Sequence, residues 1–433
     1  MNLCSTKDPR ISVSFAEAVR RGIPDDGGLF IPAAIPVCSP EFLRRIGSLA
    51  FPEISFEVAR IFLGGEIPEP DLRKIVADAI TFDAPLRRLD DETAVLELFH
   101  GPTLAFKDFG ARFMAGMMAY IHRGDRDAYT VLVATSGDTG SAVASAFHGM
   151  PGVSVVLLYP SGRVSQIQES QLTSLSGNVS ALEIGGTFDD CQRLVKEAFA
   201  DRELAAGRNL TSANSINVAR LLPQTFYYFN AFARLAERDR GIVFSVPSGN
   251  LGDLTAGLIA WKMGLPVKRF IAATNANDVV GRYLETGVYS PGRTVTTLSN
   301  AMDVGDPGNL PRIRALFDGD IGALRKAVYA ASCTDQGTRE AIAEAFTRYG
   351  YVLDPHGAVG YSALGKYRAG NRGQFTGIVL ETAHPAKFID VYDPRMRGSI
   401  EVPGRLRDLM EGEKHSVKLP AGFEEVKEFL MES

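Results

Sequence analysis

From residue 94 to about residue 390, short runs rich in Val, Ile and Leu alternate with segments of helical periodicity. Continuous apolar runs are typical of strands that are buried on both faces, and their alternation with helices predicts parallel sheets covered by helices. The strand candidates are AVLELF (94–99), YTVLVAT (129–135), VSVVLLYP (153–160), VSALEIG (179–185), GIVFSVP (241–247), KRFIAAT (268–274) and FTGIVLET (375–382). The pattern spans enough residues for two α/β lobes.

The two ends of the chain differ from this central region. Residues 1–85 contain helical stretches with apolar residues at three- and four-residue spacing, and we expect a mainly helical N-terminal domain there. These stretches are SFAEAVRRG, EFLRRIGSL, SFEVARIFL and EPDLRKIVADAI. Residues 401–433 are charged and amphipathic, which predicts a C-terminal surface helix or tail. The central domain is therefore expected to cover residues 86–400.

Composition excludes several classes of function. The net charge of −5 argues against a nucleic-acid partner, because such proteins usually carry a basic face. No apolar run is long enough to cross a bilayer, and the start MNLCSTKDPR lacks a signal core, so we expect a cytoplasmic protein without a membrane partner. The four cysteines and six histidines are scattered without a zinc spacing, and we expect no metal.

Lys107 lies in the stretch HGPTLAFKDFG (100–110), between aromatic and aliphatic neighbours. An ordinary helix start with a solvated lysine explains this stretch taken alone. A lysine that reacts as an amine also requires apolar neighbours, because desolvation disfavours the ammonium form. The remaining motifs have to decide between these interpretations.

Two glycine-rich loops follow strand candidates and open helices, where backbone N–H groups can bind anions. PSGNLGD (247–253) suits a phosphate, with Gly249 and Gly252 permitting close approach and Ser248 and Asn250 able to donate from their side chains. TSGDTGSA (135–142) suits a carboxylate or a second phosphate. The residues that form this second loop are Thr135, Ser136, Gly137, Asp138 and Thr139. Either loop alone can be a plain helix cap, and the charge of Asp138 would repel an anion unless it turns away.

A lysine amine, a phosphate loop and a carboxylate loop together describe pyridoxal-phosphate chemistry on an amino acid. Thr382, in ETAHPAKF (381–388), sits where the last strand emerges and can face the pyridine nitrogen with a neutral hydroxyl. A hydroxyl that simply bonds to the backbone is the alternative for Thr382. The chain has no P-loop, and KDFG occurs without the other kinase motifs.

These motifs, in this order, resemble the threonine synthase family of pyridoxal-phosphate enzymes. DDGGLFIP, NSINVARLLPQTFYYF (214–229), SNAMDVGDPGN (299–309) and DPHGAVG (354–360) add to the resemblance, which runs from about residue 12 to residue 390. It implies the type II pyridoxal-phosphate fold, with two parallel-sheet α/β lobes after the N-terminal domain. It also implies Lys107 as the catalytic Schiff-base lysine and Thr382 as the partner of the ring nitrogen. The implied phosphate loop consists of Ser248, Gly249, Asn250, Leu251, Gly252 and Asp253.

The resemblance implies conversion of O-phosphohomoserine and water to L-threonine and phosphate, with residues 135–139 binding substrate. Leu251 stands where the family often has Phe, and Asp138 stands where related β-replacing enzymes commonly have Asn. Arg220, with Asn214 and Asn217 nearby, is the candidate for the substrate phosphate, although Arg220 can equally pair with a carboxylate on a solvated face. A phospho-amino-acid lyase, a hydroxy-amino-acid dehydratase and a non-catalytic metabolite-binding protein remain alternatives. We expect a monomer or homodimer.

Overall fold

Two mostly parallel sheets covered by helices form the body of the computed structural model, which describes residues 1–124, 128–237, 240–371, 373–410 and 412–432. The strands are β1 (Asn2–Ser5), β2 (Ser12–Ser14), β3 (Phe30–Pro32), β4 (Leu86–Arg88), β5 (Thr93–Glu97), β6 (Tyr129–Ala134), β7 (Val153–Pro160), β8 (Val179–Gly185), β9 (Asn209–Ser212), β10 (Gly241–Pro247), β11 (Val267–Thr274), β12 (Val328–Ser332), β13 (Phe375–Glu381) and β14 (Val417–Pro420).

The helices that pack on these sheets fall into α-helices and short 3-10 segments. The α-helices are α1 (Phe15–Arg21), α2 (Pro40–Arg45), α3 (Phe51–Leu63), α4 (Glu69–Ala79), α5 (Lys107–Ile121), α6 (Asp138–Phe147), α7 (Gln166–Thr173), α8 (Phe188–Ala200), α9 (Arg202–Gly207), α10 (Val218–Leu221), α11 (Thr225–Arg234), α12 (Gly252–Lys262), α13 (Val279–Thr286), α14 (Leu310–Leu316), α15 (Ile321–Ala327), α16 (Asp335–Tyr349), α17 (Pro355–Gly370), α18 (Pro394–Arg397), α19 (Gly404–Met410) and α20 (Phe423–Glu432). The 3-10 segments are Ile46–Ser48, Leu222–Gln224, Asn300–Met302 and Pro385–Val391.

The larger sheet has the strand order β12-β11-β10-β13-β5-β4, and the smaller has β14-β8-β7-β6-β9. All pairings in both sheets are parallel except that of β4 with β5. The prediction of two parallel-sheet lobes is therefore confirmed, and all seven strand candidates lie in these sheets. The strands that the sequence did not reveal, β4, β9, β12 and β14, are the four edge strands. Edge strands are less buried and do not need a continuous apolar run.

The N-terminal region is not only helical, and the prediction of a mainly helical domain needs correction. It contains a three-stranded antiparallel sheet in the order β2-β1-β3, beside α1 to α4. Its strands have only three or four residues, which is too short for alternation of apolar and polar residues to be visible in the sequence.

Helix α8 shows why the helical segments form where they do. Thr187 accepts a hydrogen bond from the Asp190 N–H, and the Asp190 carboxylate accepts one from the Thr187 N–H. This reciprocal pair satisfies N–H groups at the start of the helix. Cys191, Leu194 and Ala198 then face the core of the smaller lobe at helical spacing.

The C-terminal tail belongs to the smaller lobe and is more than the surface helix predicted for residues 401–433, of which Glu411 and Ser433 lie outside the described residues. Strand β14 extends the five-stranded sheet by pairing with β8. The helix α20 exists as expected, but Val426 and Leu430 on it are buried in the same core as α8. Among the described residues, no helix has the length and apolarity needed to span a membrane.

Truncation of Leu430 tests whether α20 is docked. Leu430→Ala should lower the free energy of unfolding by about 2 kcal/mol or more, because it removes a buried side chain and leaves a cavity. Met431→Ala is the matched control on the same helix, since Met431 is 39% exposed. Denaturant unfolding of both variants measures the difference. Equal stability would show that α20 does not contribute to the core.

Candidate active site

Three of the predicted functional segments follow three strands that are neighbours in the larger sheet. The strand β13 lies between β10 and β5, and all three run parallel. The 248–253 loop follows β10, Thr382 follows β13, and the segment leading to Lys107 follows β5. Because parallel strands end at the same edge of a sheet, these segments lie side by side. The 135–139 loop follows β6 of the smaller sheet.

The segment before Lys107 is fastened to the end of β13. Phe106 N–H donates to Thr382 O at 2.8 Å, and His384 N–H donates to Leu104 O at 3.0 Å. Leu104 has a φ of 61°, a conformation that is rare for a residue with a side chain. These bonds over-determine the backbone and place Lys107 as the first residue of α5.

Lys107 is half-buried, and its Nζ lies 4.1 Å from the centre of the Phe106 ring. Burial and, to a smaller extent, the charge of Arg220 lower the pKa of Lys107 to about 8, against the opposing effects of Asp253 and Asp138. The solvated helix start is therefore not what the structure shows. Phe109, by contrast, is directed toward the N-terminal region, where its ring packs on Phe82.

Arg220 is almost completely buried beside α5, and not on a solvated face. Its Nη1 donates to Ala213 O, and its Nε has no partner among the described residues. Burial lowers the pKa of Arg220 to about 10. A methyl group on Gly110 would approach Arg220 Nε to 2.9 Å, so the glycine makes room for the guanidinium. Arg220 thus places an unpaired positive charge near Lys107.

Asp253 also faces Lys107, from the first turn of α12. Its Oδ1 accepts hydrogen bonds from the hydroxyls of Tyr227, at 2.5 Å, and Tyr228, at 3.0 Å. Its Oδ2 is buried and has no partner among the described residues. Burial raises the pKa of Asp253 to about 6, against the opposing effects of the two tyrosines and Lys107. The carboxylate therefore belongs to the lysine environment, whereas the sequence analysis placed it only in the phosphate loop.

The 248–253 loop has the form of an anion-binding site. Among the described residues, no acceptor is found for the N–H groups of residues 249–253. Leu251 adopts the left-handed conformation with a φ of 59°, which turns the chain into α12. Successive unpaired N–H groups at a helix start are a site for a phosphate. This donor set fits the phosphate of pyridoxal phosphate.

The side chains of this loop hold the loop itself. Ser248 Oγ donates to Val246 O at 2.7 Å, and Asn250 Nδ2 donates to Ser215 Oγ at 3.1 Å. Both side chains thus have hydrogen-bond partners within the protein, and their donation to a phosphate stays a prediction. Binding through the backbone is also consistent with Leu251 in place of Phe.

Thr382 presents a free hydroxyl at the end of β13. Its residue is 6% exposed, and no hydrogen bond joins its Oγ1 to a described residue. The alternative of a hydroxyl bonded to the backbone is thus not what the structure shows. A neutral hydroxyl beside the lysine and the phosphate loop fits the pyridine nitrogen of the cofactor.

In the 135–139 loop, one hydroxyl has a structural role and two are free. Thr135 Oγ1 accepts from the N–H groups of Gly137, at 3.0 Å, and Gly140, at 2.8 Å, and so shapes the loop. Ser136 and Thr139 are half-buried and form no side-chain hydrogen bond to described residues. These two hydroxyls are available to a ligand.

Lys387 resolves the problem posed by the charge of Asp138, and the sequence analysis missed it. Lys387 Nζ lies 2.6 Å from Asp138 Oδ1 and donates to Thr103 O at 3.0 Å. Gln168 Nε2 donates to the same carboxylate at 3.0 Å. Burial would raise the pKa of Asp138, but Lys387 outweighs it and holds the pKa below its ordinary value. The position of a lysine in the apolar stretch HPAKF was the available signal.

Asn214 and Asn217 are engaged in the fold. Asn217 is fully buried, donates to Val19 O at 3.1 Å and accepts from the Ala219 N–H at the start of α10. Asn214 Nδ2 donates to Ala134 O at 3.0 Å, although the residue lines a cavity of about 1080 Å³ that extends to the N-terminal region. Both amides thus have partners within the protein, and their contact with a substrate phosphate stays a prediction.

Arg312 joins the N-terminal region to the site and was also missed. Its guanidinium donates to Phe30 O and Ser215 O, both at 2.9 Å, and burial lowers its pKa to about 9. Ser215 in turn holds Asn250 of the phosphate loop. Among the described residues, no group of His, Cys, Asp and Glu is arranged to hold a metal ion.

Three models of known families match the chain. The model described as pyridoxal-phosphate dependent enzyme matches residues 83–379. The models described as threonine synthase N terminus and threonine synthase, C-terminal match residues 2–80 and 357–430.

Individual proteins are similar over the whole length. Threonine synthases of Serratia marcescens and Escherichia coli are each 46% identical over 432 residues, covering 100% of this chain and 99% of theirs. The crystal structure of the Escherichia coli threonine synthase superposes with a TM-score of 0.93, at 46% identity and full coverage of both chains. The structure of PLP-bound threonine synthase from Brucella melitensis superposes with a TM-score of 0.91 at 36% identity, covering 100% of this chain and 99% of that one.

The Asp138–Lys387 pair provides a test of this geometry. Lys387→Met should lower the free energy of unfolding by about 3–5 kcal/mol, because it leaves a buried carboxylate without its partner. The double variant Asp138→Asn with Lys387→Met should recover most of the loss, since neither charge remains. Chemical denaturation of the two variants and of Asp138→Asn alone measures the coupling. Additive effects would show that the two side chains do not interact.

Proposed function

The chain belongs to the threonine synthase family of pyridoxal-phosphate enzymes, and we propose that its reaction takes place between Lys107, Thr382 and the loops at 248–253 and 135–139. The reaction converts O-phosphohomoserine and water to L-threonine and phosphate. The observation that carries the proposal is the adjacency of β10, β13 and β5, which brings a phosphate-binding loop, a neutral hydroxyl and an amine to one sheet edge.

Each of these groups has a proposed role toward the cofactor. The N–H groups of residues 249–253 bind the phosphate, with Ser248 and Asn250 holding the loop in shape. Thr382 offers its hydroxyl to the ring nitrogen without a negative charge, and Lys107 forms the covalent link. When bound, the cofactor withdraws electrons from the Cα of an amino-acid substrate, which makes protons at Cα and then Cβ removable.

Lys107 then acts as a mobile general base. Because its pKa is lowered to about 8, a useful fraction of its amine is neutral near neutral pH. Released from the covalent link by the substrate amine, Nζ can take the proton from the substrate Cα. The same amine can carry protons at Cβ and Cγ while phosphate leaves Cγ and water adds at Cβ. Asp253 stabilises the ammonium form when Lys107 holds a proton.

We assign the 135–139 loop to the substrate. Ser136 and Thr139 offer free hydroxyls, and the N–H groups of Asp138 and Thr139 at the start of α6 have no acceptor among the described residues. The charge of Asp138 does not oppose an anion there because Lys387 pairs with it. Arg220 supports the substrate phosphate through its unpaired positive charge, and direct contact remains a prediction.

A phospho-amino-acid lyase or a hydroxy-amino-acid dehydratase would use the same lysine and phosphate loop. Measurement of phosphate and threonine together from O-phosphohomoserine separates these activities, since only threonine synthesis yields both in equal amounts. The division at residues 85 and 400, the monomeric or homodimeric state and the cytoplasmic location also remain predictions. Native mass spectrometry tests the oligomeric state.

Lys107→Ala should abolish threonine formation while leaving the fold intact. The loss should be at least about 10²–10⁴-fold, because general-base catalysis alone contributes that much. The variant should still bind pyridoxal phosphate through residues 249–253, without a covalent bond. Borohydride reduction of the unmodified enzyme and peptide mapping should find the cofactor on HGPTLAFKDFG. Labelling of a different lysine, such as Lys387, would overturn the assignment.

Replacement of Arg220 should change the pH at which Lys107 reacts. In the cofactor-free protein, covalent attachment of pyridoxal phosphate requires the neutral amine and should rise with pH around a midpoint of about 8. Arg220→Gln removes a neighbouring positive charge. Because this removal favours the ammonium form of Lys107, the midpoint should move to higher pH. Arg220→Lys keeps the charge and serves as the control. Absorbance measures the attached pyridoxal phosphate at each pH and gives the midpoint for each protein. Identical midpoints in the unmodified protein and in both Arg220 variants would contradict the effect of Arg220.

A further inference from the structure

The motif DPHG at residues 354–357 has no place in the roles assigned above, yet its side chains are among the most buried polar groups of the chain. Asp354 is 0% exposed and His356 is 2% exposed. Asp354 caps α17 by accepting from the N–H groups of His356, at 2.7 Å, and Gly357, at 3.4 Å. A cap needs only one carboxylate oxygen, and the second oxygen has another function.

The second oxygen of Asp354 holds the backbone at the end of β13. Asp354 Oδ2 accepts from Thr382 N–H at 3.1 Å and from Ala383 N–H at 3.2 Å. On the other side, the Thr382 carbonyl accepts from Phe106 N–H. Thr382 is therefore fixed by Asp354 and by the segment that leads to Lys107.

His356 continues the connection in the opposite direction. Its Nδ1 lies 2.6 Å from Asp354 Oδ1, and its Nε2 accepts from Ala301 N–H at 3.2 Å. Because Nε2 accepts a hydrogen bond, these partners assign the proton to Nδ1 and make the ring neutral. The ring of Phe388 packs edge-on against it with centroids 5.1 Å apart. His356 thus has one orientation with both nitrogens engaged.

The segment that His356 holds lies directly behind the phosphate loop. A methyl group on Gly249 would lie 2.7 Å from Met302 Cα and 2.9 Å from Ala301 O. Residues 301 and 302 are therefore in close contact with Gly249, and their position sets how far the loop can retreat from a phosphate.

The sheet alone does not fix these loops relative to each other. Backbone pairing between β10 and β13 ends at Ser245 and Val379, before the chain reaches Gly249 and Thr382. Beyond that point, the side chains of Asp354 and His356 and the 301–302 backbone connect the two loop ends. The hydrogen bonds of this connection are buried or partly buried, where they are electrostatically stronger than in water.

We propose that Asp354 and His356 form a positioning pair that fixes the ring end of the cofactor site, at Thr382, relative to its phosphate end, at Gly249. The proposal rests on the proposed function, which assigns these two ends to the cofactor. Neither side chain contacts the reacting atoms. Asp354 sets the ring end, and His356 transmits its position to the phosphate loop through Ala301.

The proposal is supported by the charge state of its surroundings. Burial would raise the pKa of Asp354, but the hydrogen bonds that its carboxylate accepts from His356 and from backbone N–H groups outweigh burial and hold the pKa below its ordinary value. Glu381, whose carboxylate accepts from Asp354 N–H, has its pKa raised well above the ordinary value by burial and by Asp354. The raised pKa favours the protonated form of Glu381, and protonation reduces its repulsion of Asp354.

Two substitutions of His356 separate the two connections. His356→Asn places an amide nitrogen near the position of Nδ1, which keeps the bond to Asp354 but does not reach Ala301. His356→Phe keeps the ring volume and the contact with Phe388 and removes both bonds. Asp320→Asn is the matched control, because Asp320 caps α15 through the N–H groups of Gly322 and Ala323 and does not approach the site.

The readout is the binding of pyridoxal phosphate and of pyridoxal, which lacks the phosphate, to the cofactor-free proteins by equilibrium dialysis. The dissociation constant of pyridoxal divided by that of pyridoxal phosphate measures how much the phosphate group contributes to binding. His356→Asn should reduce this ratio about tenfold, the equivalent of one lost hydrogen bond, while pyridoxal affinity stays within about twofold. His356→Phe should reduce the ratio, weaken pyridoxal binding and change the visible absorption of the bound cofactor. Asp320→Asn should change none of these.

An unchanged ratio in His356→Asn overturns the proposal, as does an equal loss of affinity for both ligands, which indicates general destabilisation. If His356→Phe does not fold, His356→Asn alone decides, with its unfolding midpoint measured in parallel. Failure of the proposed function has a different signature. In that case the unmodified protein itself binds pyridoxal phosphate no better than pyridoxal, or borohydride labels a lysine other than Lys107.

Discussion

The parallel pairing of β5, β13 and β10 is the constraint on which the active site depends. Each strand delivers a different chemical group, and parallel neighbours must end at the same edge of the sheet. Lys107, Thr382 and the phosphate loop are therefore brought together from three distant parts of the chain. The smaller lobe then needs only to bring the 135–139 loop opposite this edge, which the contact of Asp138 with Lys387 secures.

Charge balance explains several buried side chains around this edge. Arg220 and Arg312 are buried without a carboxylate within ion-pair distance among the described residues, which is costly in the absence of an anion. A cofactor phosphate and a substrate phosphate each bring about two negative charges. The positive charge thus favours an anionic ligand, and the charge of Arg220 helps to lower the pKa of Lys107. Lys387 pairs with Asp138 inside the protein, so the charge of Asp138 does not repel an anion at the 135–139 loop.

The sequence was most informative where function and burial act on contiguous residues. The fully buried central strands and the loops around Lys107, Gly137 and Gly249 were visible because each needs a continuous run of particular residues. The four edge strands were not, since partial burial permits almost any residue there. The hydrogen bonds that Ser248 and Asn250 form within the protein were also not visible, because a sequence does not show whether a polar group faces a ligand or its own loop.

By itself, the sequence determined the alternation of strands and helices, and it predicted the reactive lysine, the two anion-binding loops and the role of the neutral hydroxyl of Thr382. Local patterns suffice for these features because they depend on neighbouring residues and on helical or strand periodicity. The tertiary structure alone decided which distant side chains complete the site. Lys387, Arg312, Asp354 and His356 act through contacts with residues far away in the chain, such as Asp138, Phe30, Thr382 and Ala301. Such contacts arise only when the sheets and helices pack, and they leave no periodic signal in the sequence.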